Sequence, residues 1–528
     1  MPISRPVLAG TLLCALSLTL GAPHAPAQSR SKPALLVFIT VDQLREDYLE
    51  KWSSQFSGGL KRLVEGGAFF TNAFQDHAIT ETAPGHASIL SGRFPRSTGI
   101  TRNVAGVNND PNAPLIGVNG LSASPFRFRG TTLTDWLTSA DARTRALSIS
   151  VKDRGAILPI GRSKQQVYWY VGNTFTTSRY YGDSLPDWVK AFDARQLPQH
   201  YAGKVWDLLL PPASYPEPDS VPIENQGRNF VFPKTLPADS TAAASVLSAS
   251  PFMDEVLAAF ALDGVQQLGL GKGPETDVLA VSFSPTDYIG HAFGSDSREI
   301  HDQILRLDRT LGRFLDSLYK LRDPGTVIVA LTADHGSTPF PELSQQRYSP
   351  PPLRVSSRPA VAAARAVLGA AGADTMAVEL ESGALFIDAS RPGVTPALVN
   401  AAADSFVAVA RRTPGVLMAE RYASLASHDL GKDAIARRWV QMFPPDVPVQ
   451  AVVTLTRGSY PDPFPIALHG TPHDDDAHVP VVFFGAPFKP GRYAQFTRTV
   501  DIAPTLAQAL GITPTEPLDG RVLTAALR

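Results

Sequence analysis

Leu35-Leu36-Val37-Phe38-Ile39-Thr40-Val41 is a short, almost uninterrupted apolar run that ends in Asp42. Val327-Ile328-Val329-Ala330-Leu331-Thr332-Ala333 repeats the pattern and ends in Asp334-His335-Gly336. Such runs, rich in β-branched residues and apolar at nearly every position, predict strands buried on both faces of a parallel sheet. Val278-Leu279-Ala280-Val281-Ser282-Phe283 is a third run, and Asp287-Tyr288-Ile289-Gly290-His291 follows it by four residues. Ligands of an open α/β sheet bind beyond the carboxyl ends of its strands, so acids that end core strands point at a site. One helical turn after the third run would put Asp287 and His291 on one face.

Working outward, strand-like runs at 34–41, 146–151, 278–283, 327–333 and 480–484 alternate with helical patterns. This predicts an α/β fold with a mostly parallel central sheet sandwiched by helices, carrying inserted cap segments. The clearest helix runs from Ser297 to Leu321, with Ile300, Ile304, Leu307, Leu311, Phe314 and Leu318 at three- and four-residue steps. Residues 165–250 break the rhythm with Tyr168-Trp169-Tyr170 and a Pro-rich stretch from Pro211 to Pro222, which reads as an insertion. A second insertion over about 340–450 starts near Tyr348-Ser349-Pro350-Pro351-Pro352 and holds an Ala-rich helix and the strand-like Ala384–Asp388. The expected organisation is a signal peptide over 1–27 and a single catalytic domain over 28–528.

At 528 residues and 44% hydrophobic content the chain has ample material for a large core. Its formal charge of −1 offers no general attraction to nucleic acid or membrane, and neither is expected as a partner. Arg5, the apolar stretch Val7–Leu20 and Ala25-Pro26-Ala27 read as an export signal cleaved near Ala27, too short to span a membrane. The only cysteine, Cys14, lies inside that signal. A periplasmic or secreted protein without disulfides is therefore expected, with a monomer favoured.

Asp42, Asp287, His291, Asp334, His335 and His478 together make a ligand set for two divalent ions. Two such ions roughly 3.5–4 Å apart clamp the attacking and leaving oxygens of a phosphoryl displacement. Taken singly, each residue is more often a surface acid or a satisfied core histidine; their placement at strand ends changes the reading. His478 is chosen because it directly precedes the strand-like Val479–Phe484, with His473 as the fallback, while His77, His86 and His469 read as supporting or structural groups.

Thr80-Glu81-Thr82-Ala83-Pro84-Gly85-His86 reads as a helix start with Thr82 at the N-cap and Gly92 at its end. By itself Thr82 is a capping threonine. Beside metal ions it becomes a nucleophile, since coordination favours the alkoxide and a helix N-terminus favours an incoming phosphate. Lys152 and Arg154 follow the strand-like Leu147–Val151 and can reach the same crevice. A point charge plus a forked guanidinium suits the two charges of a phosphate monoester better than the single charge of a diester.

The set formed by Thr82 in Thr-Ala-Pro-Gly-His, Gly99–Asn103, Lys152-Asp153-Arg154-Gly155, Thr286–His291, Ala333–Gly336 and His478-Val479-Pro480 resembles the alkaline phosphatase superfamily. More narrowly, it is similar to the periplasmic threonine-nucleophile alkaline phosphatases. The resemblance implies two zinc ions per chain, one held by Asp287, His291 and His478 and the other by Asp42, Asp334 and His335 with Thr82 beside it. It implies phosphate monoesters as substrates, a phosphothreonine intermediate, and Asn103, Lys152 and Arg154 as the phosphate-binding residues. A phosphodiesterase or nucleotide pyrophosphatase of the same superfamily is the alternative, discriminated by Lys152 and Arg154. A sulfatase is disfavoured because position 82 is Thr and not the Cys or Ser from which that nucleophile derives. A metal-stabilised binding protein is disfavoured by the intact nucleophile and complete ligand set.

Overall fold

The computed structural model describes residues 1–4 and 32–528. The predicted cleavage site at Ala27 and the cysteine at 14 lie outside the described residues.

The apolar runs at 35–41, 278–283 and 327–333 are adjacent strands. We label the central strands β1 (Leu35–Val41), β2 (Ala68–Phe70), β3 (Ala146–Ser150), β4 (Gln166–Val171), β5 (Thr174–Thr176), β6 (Asp277–Phe283) and β7 (Val327–Thr332). Four strands of an inserted sheet follow, β8 (Val378–Glu381), β9 (Ala384–Ile387), β10 (Val416–Arg421) and β11 (Val449–Leu455), then β12 (Val481–Phe484) and β13 (Gly491–Tyr493) of the central sheet. The central sheet runs in the order β13-β2-β12-β7-β1-β6-β3-β4-β5. β7, β1, β6, β3 and β4 are mutually parallel, whereas β12 pairs antiparallel with both β7 and β2.

Helices cover both faces, which is why the core strands are apolar at alternate and intervening positions alike. The helices that matter here are α1 (Thr82–Ser91), α2 (Pro285–Phe293), α3 (Arg298–Leu321), α4 (Arg358–Ala370) and α5 (Pro396–Ala410). Leu35, Val37, Ile39 and Val41 of β1 share one core with Ile300, Ile304, Leu307, Leu311, Phe314 and Leu318 of α3. Burying each such side chain contributes roughly 1.5–3 kcal/mol. Ser297 caps α3 by accepting from the Ile300 N–H. Leu36 and Phe38 point the other way, into a core with Ala83, Ala87 and Leu90 of α1.

The aromatic triplet 168–170, read from sequence as part of an insertion, lies in β4 of the central sheet. Tyr168 and Tyr170 join the α3-side core and Trp169 the opposite one. The strand is buried on both faces, and its consecutive aromatics stand in place of the aliphatic run that marks the other core strands. The second inserted region forms an antiparallel sheet in the order β8-β9-β11-β10, with α4 and α5 packed on one face. Its β8–β9 hairpin turns through Ser382 and Gly383, both in the left-handed region at φ 47° and 79°. Among the described residues no single helix is long and apolar enough to cross a membrane.

Candidate active site

Strand register brings the predicted residues to one edge. Thr40 lies opposite Thr332 of β7 and Ser282 of β6, and Ser282 lies opposite Ser150 of β3. Asp42, Asp334 and Lys152 each follow these positions by two residues. α2 forms directly after β6 and displays Asp287 and His291 one turn apart.

Asp42, Asp334 and His335 form the first donor group. His335 Nε2 lies 3.4 Å from Asp42 Oδ1 and 3.6 Å from Asp334 Oδ2, and all three side chains are fully buried. His335 Nδ1 faces the Gly336 carbonyl at 2.9 Å, so Nε2 is left for the carboxylates. Asp42 Oδ1 and Asp334 Oδ2 are buried without a well-aligned hydrogen-bond donor, and Asp42 Oδ2 meets only the Lys152 ammonium at 2.6 Å. His86 Nδ1 stands 3.1 Å from Asp334 Oδ2 and 2.9 Å from the Thr82 carbonyl, so a single N–H is shared between two acceptors. Carboxylate oxygens this deeply buried are costly without a partner, and a cation satisfies them. α1 approaches so closely that a Cβ on Gly85 would lie 2.2 Å from the Asp334 carbonyl oxygen.

The second group is Asp287, His291 and His469. The two histidine Nε2 atoms are 3.2 Å apart, and each lies 3.4 Å from Asp287 Oδ1. Their Nδ1 atoms are anchored to backbone carbonyls, His291 to Ala467 at 2.6 Å and His469 to Thr80 at 2.8 Å. Anchoring one ring nitrogen to orient the other is how metal-binding imidazoles are held. The groups adjoin: His335 Nε2 is 4.0 Å from Asp287 Oδ1, and the His335 and His469 rings stack with centroids 3.6 Å apart. Both sets, Asp42-Asp334-His335 and Asp287 with His335 and His469, have the spacing of groups that could hold a metal ion.

His478 does not belong to this cluster, which corrects the expectation from sequence. Its Nε2 donates to the Thr71 carbonyl at 2.9 Å, and its ring stacks on Phe74. The strand-end rule misled because β12 is antiparallel: the whole segment entering it, from His469 to His478, lies at the catalytic edge. Closeness to the strand then selected the wrong histidine. His473, the fallback, contacts the Leu455 carbonyl at 2.8 Å and is also outside both groups. His469 was read as a supporting group. The signal that marked it is the adjoining Gly470, whose φ of 104° lets the loop turn beside the site.

Gln43 is a second residue that sequence reasoning missed. Its backbone N–H donates to Asp334 Oδ1 at 3.2 Å and its side-chain amide to Asp287 Oδ1 at 2.9 Å, so it ties the two groups together. It adopts φ 67°, and a Cβ at Gly290 of α2 would fall 1.7 Å from its Oε1.

Thr82 Oγ1 sits between the groups and the basic pair, 3.5 Å from His335 Nε2 and 3.4 Å from Lys152 Nζ. It is the first residue of α1; the N-cap is Glu81, not Thr82 as the sequence suggested. The hydroxyl is therefore not committed to capping. Lys152 Nζ lies 2.6 Å from Asp42 Oδ2 and 2.5 Å from Asp287 Oδ2, one oxygen from each group. Arg154 keeps its Nε without a partner and meets Asp153 only at 3.6 Å. Asn103 Oδ1 accepts the Ala83 N–H at 2.9 Å, which leaves its Nδ2 as a donor beside Thr82, free of partners among the described residues.

The electrostatics follow from three buried carboxylates. Burial alone would lower Lys152, but Asp287 and Asp42 overcome it and hold the ammonium above its ordinary range. Burial likewise opposes charge on His335, and Asp334 and Asp42 reverse that, raising it to about 9. Burial would raise Asp287, yet Lys152 and the neighbouring histidines hold it well below the usual carboxylate range. His469, buried beside His335, is pushed down to about 3 and stays neutral. Lys152 and His335 thus carry positive charge against the three carboxylates, while His469 stays neutral.

Comparison with known proteins gives the family. Residues 36–349 match the family described as type I phosphodiesterase / nucleotide pyrophosphatase. The chain is 30% identical to alkaline phosphatase PhoV of Synechococcus elongatus, over 96% of this chain and 95% of that one. It is 29% identical to alkaline phosphatase PafA of Elizabethkingia meningoseptica, over 93% and 94%. The crystal structure of wild-type PafA superposes with a TM-score of 0.87 at 27% identity, covering 94% of this chain and 99% of the other. The chain belongs to the type I phosphodiesterase / nucleotide pyrophosphatase family, within the alkaline phosphatase superfamily, and is an enzyme of the alkaline phosphatase type.

Proposed function

We propose that this protein is an exported, zinc-dependent phosphomonoesterase that works through a phosphothreonine at Thr82. The observation that carries the reading is the position of Thr82 Oγ1, within 3.5 Å of both His335 Nε2 and Lys152 Nζ at the junction of two metal-type donor groups. Asp42, Asp334 and His335 would hold one ion and Asp287, His291 and His469 the other. Mixed carboxylate and imidazole donors suit zinc, and three protein ligands leave a position open in each set. When bound, the ions supply Lewis-acid stabilisation of the attacking and leaving oxygens.

The chain's own residues do the rest. Thr82 Oγ1 forms the bond to phosphorus as the ester P–O bond breaks and the alcohol departs. Water then cleaves the phosphothreonine, restoring the hydroxyl and releasing inorganic phosphate. Asn103 Nδ2, Lys152 and Arg154 hold the non-bridging oxygens, whose two charges on a monoester reward two cations. The alkaline phosphatase names of the relatives support this reading. The family description keeps diesters as the second one. Parallel kcat/KM values for an aryl phosphate monoester, the matching diester and the matching sulfate, with metal content measured on the same preparation, decide between them. Monoester preference with about two zinc ions per chain is expected; diester preference would favour the alternative. Export rests on the predicted signal ending near Ala27, and the mature N-terminus of periplasmic or secreted material tests it.

A further inference from the structure

The inserted sheet reaches the phosphate clamp through one carboxylate. Glu81, the residue before the nucleophile, accepts the Asn103 backbone N–H at Oε2 (2.7 Å) and the Ser382 hydroxyl at Oε1 (2.6 Å). Ser382 occupies the turn of the β8–β9 hairpin. The next residue of the clamp loop, Arg102, pairs with Glu381 on the same hairpin and lies over the Phe386 ring at 4.2 Å. Arg102 is thus fastened to the insertion directly and the Asn103 backbone through Glu81, while the Asn103 side chain is fastened to the Ala83 N–H of α1. Backbone and side chain are fixed from two directions, and Nδ2 is the donor left over.

We propose that Glu81 is a positioning residue through which the β8–β9 hairpin, by way of Ser382, sets the place of the Asn103 amide for the transferring phosphoryl group. The inference rests on the reading of Asn103 as a phosphate donor. A carboxylate can serve both donors at once because it has two acceptor oxygens and no proton of its own to place. An amide at this position keeps only one acceptor oxygen, and alanine keeps none. The hairpin then does more than cover the site. It fixes the geometry of one clamp donor without touching substrate.

The test is a set of three double-mutant cycles on kcat/KM for an aryl monoester, with Glu81→Ala, Glu81→Gln and Ser382→Ala each made alone and with Asn103→Ala. Asn103→Ala alone should lose on the order of 10–100-fold. Glu81→Ala should lose about tenfold in the native background, Glu81→Gln less, and Ser382→Ala a few-fold. In the Asn103→Ala background all three should change turnover by less than about twofold, because the group they position is gone. Equal losses in both backgrounds, or no loss in the native one, would overturn the proposal. Ser382→Ala removes only a hydroxyl from a turn and keeps the test valid if Glu81→Ala folds poorly. Unchanged turnover in Asn103→Ala alone is a separate outcome: it refutes the clamp reading, and the route through Asn103 with it.

Discussion

The two donor groups of the site are built differently. Asp42, Asp334 and His335 sit at or just past the ends of two adjacent parallel strands, fully buried and fixed by sheet register. Asp287, His291 and His469 combine one helical turn with a loop that follows the last strand of the inserted sheet, and the His291 side chain is 27% exposed. Donors on strand ends inherit their geometry from the core. Donors on a loop depend on anchors such as the Ala467 and Thr80 carbonyls, so the second group has more ways to fail.

The largest expected effect removes what both groups serve. Thr82→Ala should lower monoester kcat by several orders of magnitude with a stability change of only about 1 kcal/mol, since its hydroxyl caps nothing. Steady-state kinetics and thermal unfolding check both halves; undiminished turnover would remove the nucleophile assignment. Next is the bridge between the groups. Each charge-assisted hydrogen bond is worth roughly 1.5–3 kcal/mol, so Lys152→Ala with Arg154→Ala should cost on the order of 10²–10⁴ for monoesters and far less for diesters. Equal losses for the two substrates would mean general positioning and would favour the diesterase reading.

A sharper contrast lies within the loop that carries the second group. His469→Ala should weaken metal retention by more than the 10–100-fold that outer partners of a ligand typically contribute. His478→Ala should keep metal and activity and lose about 1–3 kcal/mol from its contact with Phe74 and its hydrogen bond to the Thr71 carbonyl. Zinc content after graded chelation separates them, and the reverse pattern would restore His478 as the ligand.

The smallest effect is a pH dependence of the strand-end group. His335 is raised from its ordinary 6.5 to about 9, so in metal-stripped protein its contribution is full below pH 6.5 and fades as pH rises through 9. Chelated protein should therefore lose on the order of 1 kcal/mol or more between pH 7 and pH 10. Zinc binding needs His335 neutral, so zinc affinity should rise over the same interval. Denaturant titrations with and without chelator measure both, and a flat profile for the stripped protein would contradict the charge on His335.

The same contrast explains what could be read before the structure. Asp42, Asp334 and His335 were legible because an apolar run and its terminal acid are local in sequence, and parallel register fixes where they end. Asp287 and His291 were legible because helical spacing is also local. His469 was not: three histidines enter β12, and only the loop's path, set by Gly470 and by contacts with Ala467 and Thr80, decides among them. Gln43 stayed hidden because its left-handed backbone and its reach to Asp287 are properties of the folded pocket. Tyr168-Trp169-Tyr170 were misplaced because three consecutive aromatics next to a Pro-rich stretch resemble the separate core of an insertion more than the aliphatic run of a sheet strand.

The central claim is a covalent transfer through Thr82, and the stereochemical course at phosphorus tests it most directly. A monoester made chiral with oxygen isotopes should transfer its phosphoryl group to an acceptor alcohol with net retention, the result of two in-line displacements. Net inversion would show that the acceptor attacks the substrate itself, and Thr82 would no longer be the nucleophile.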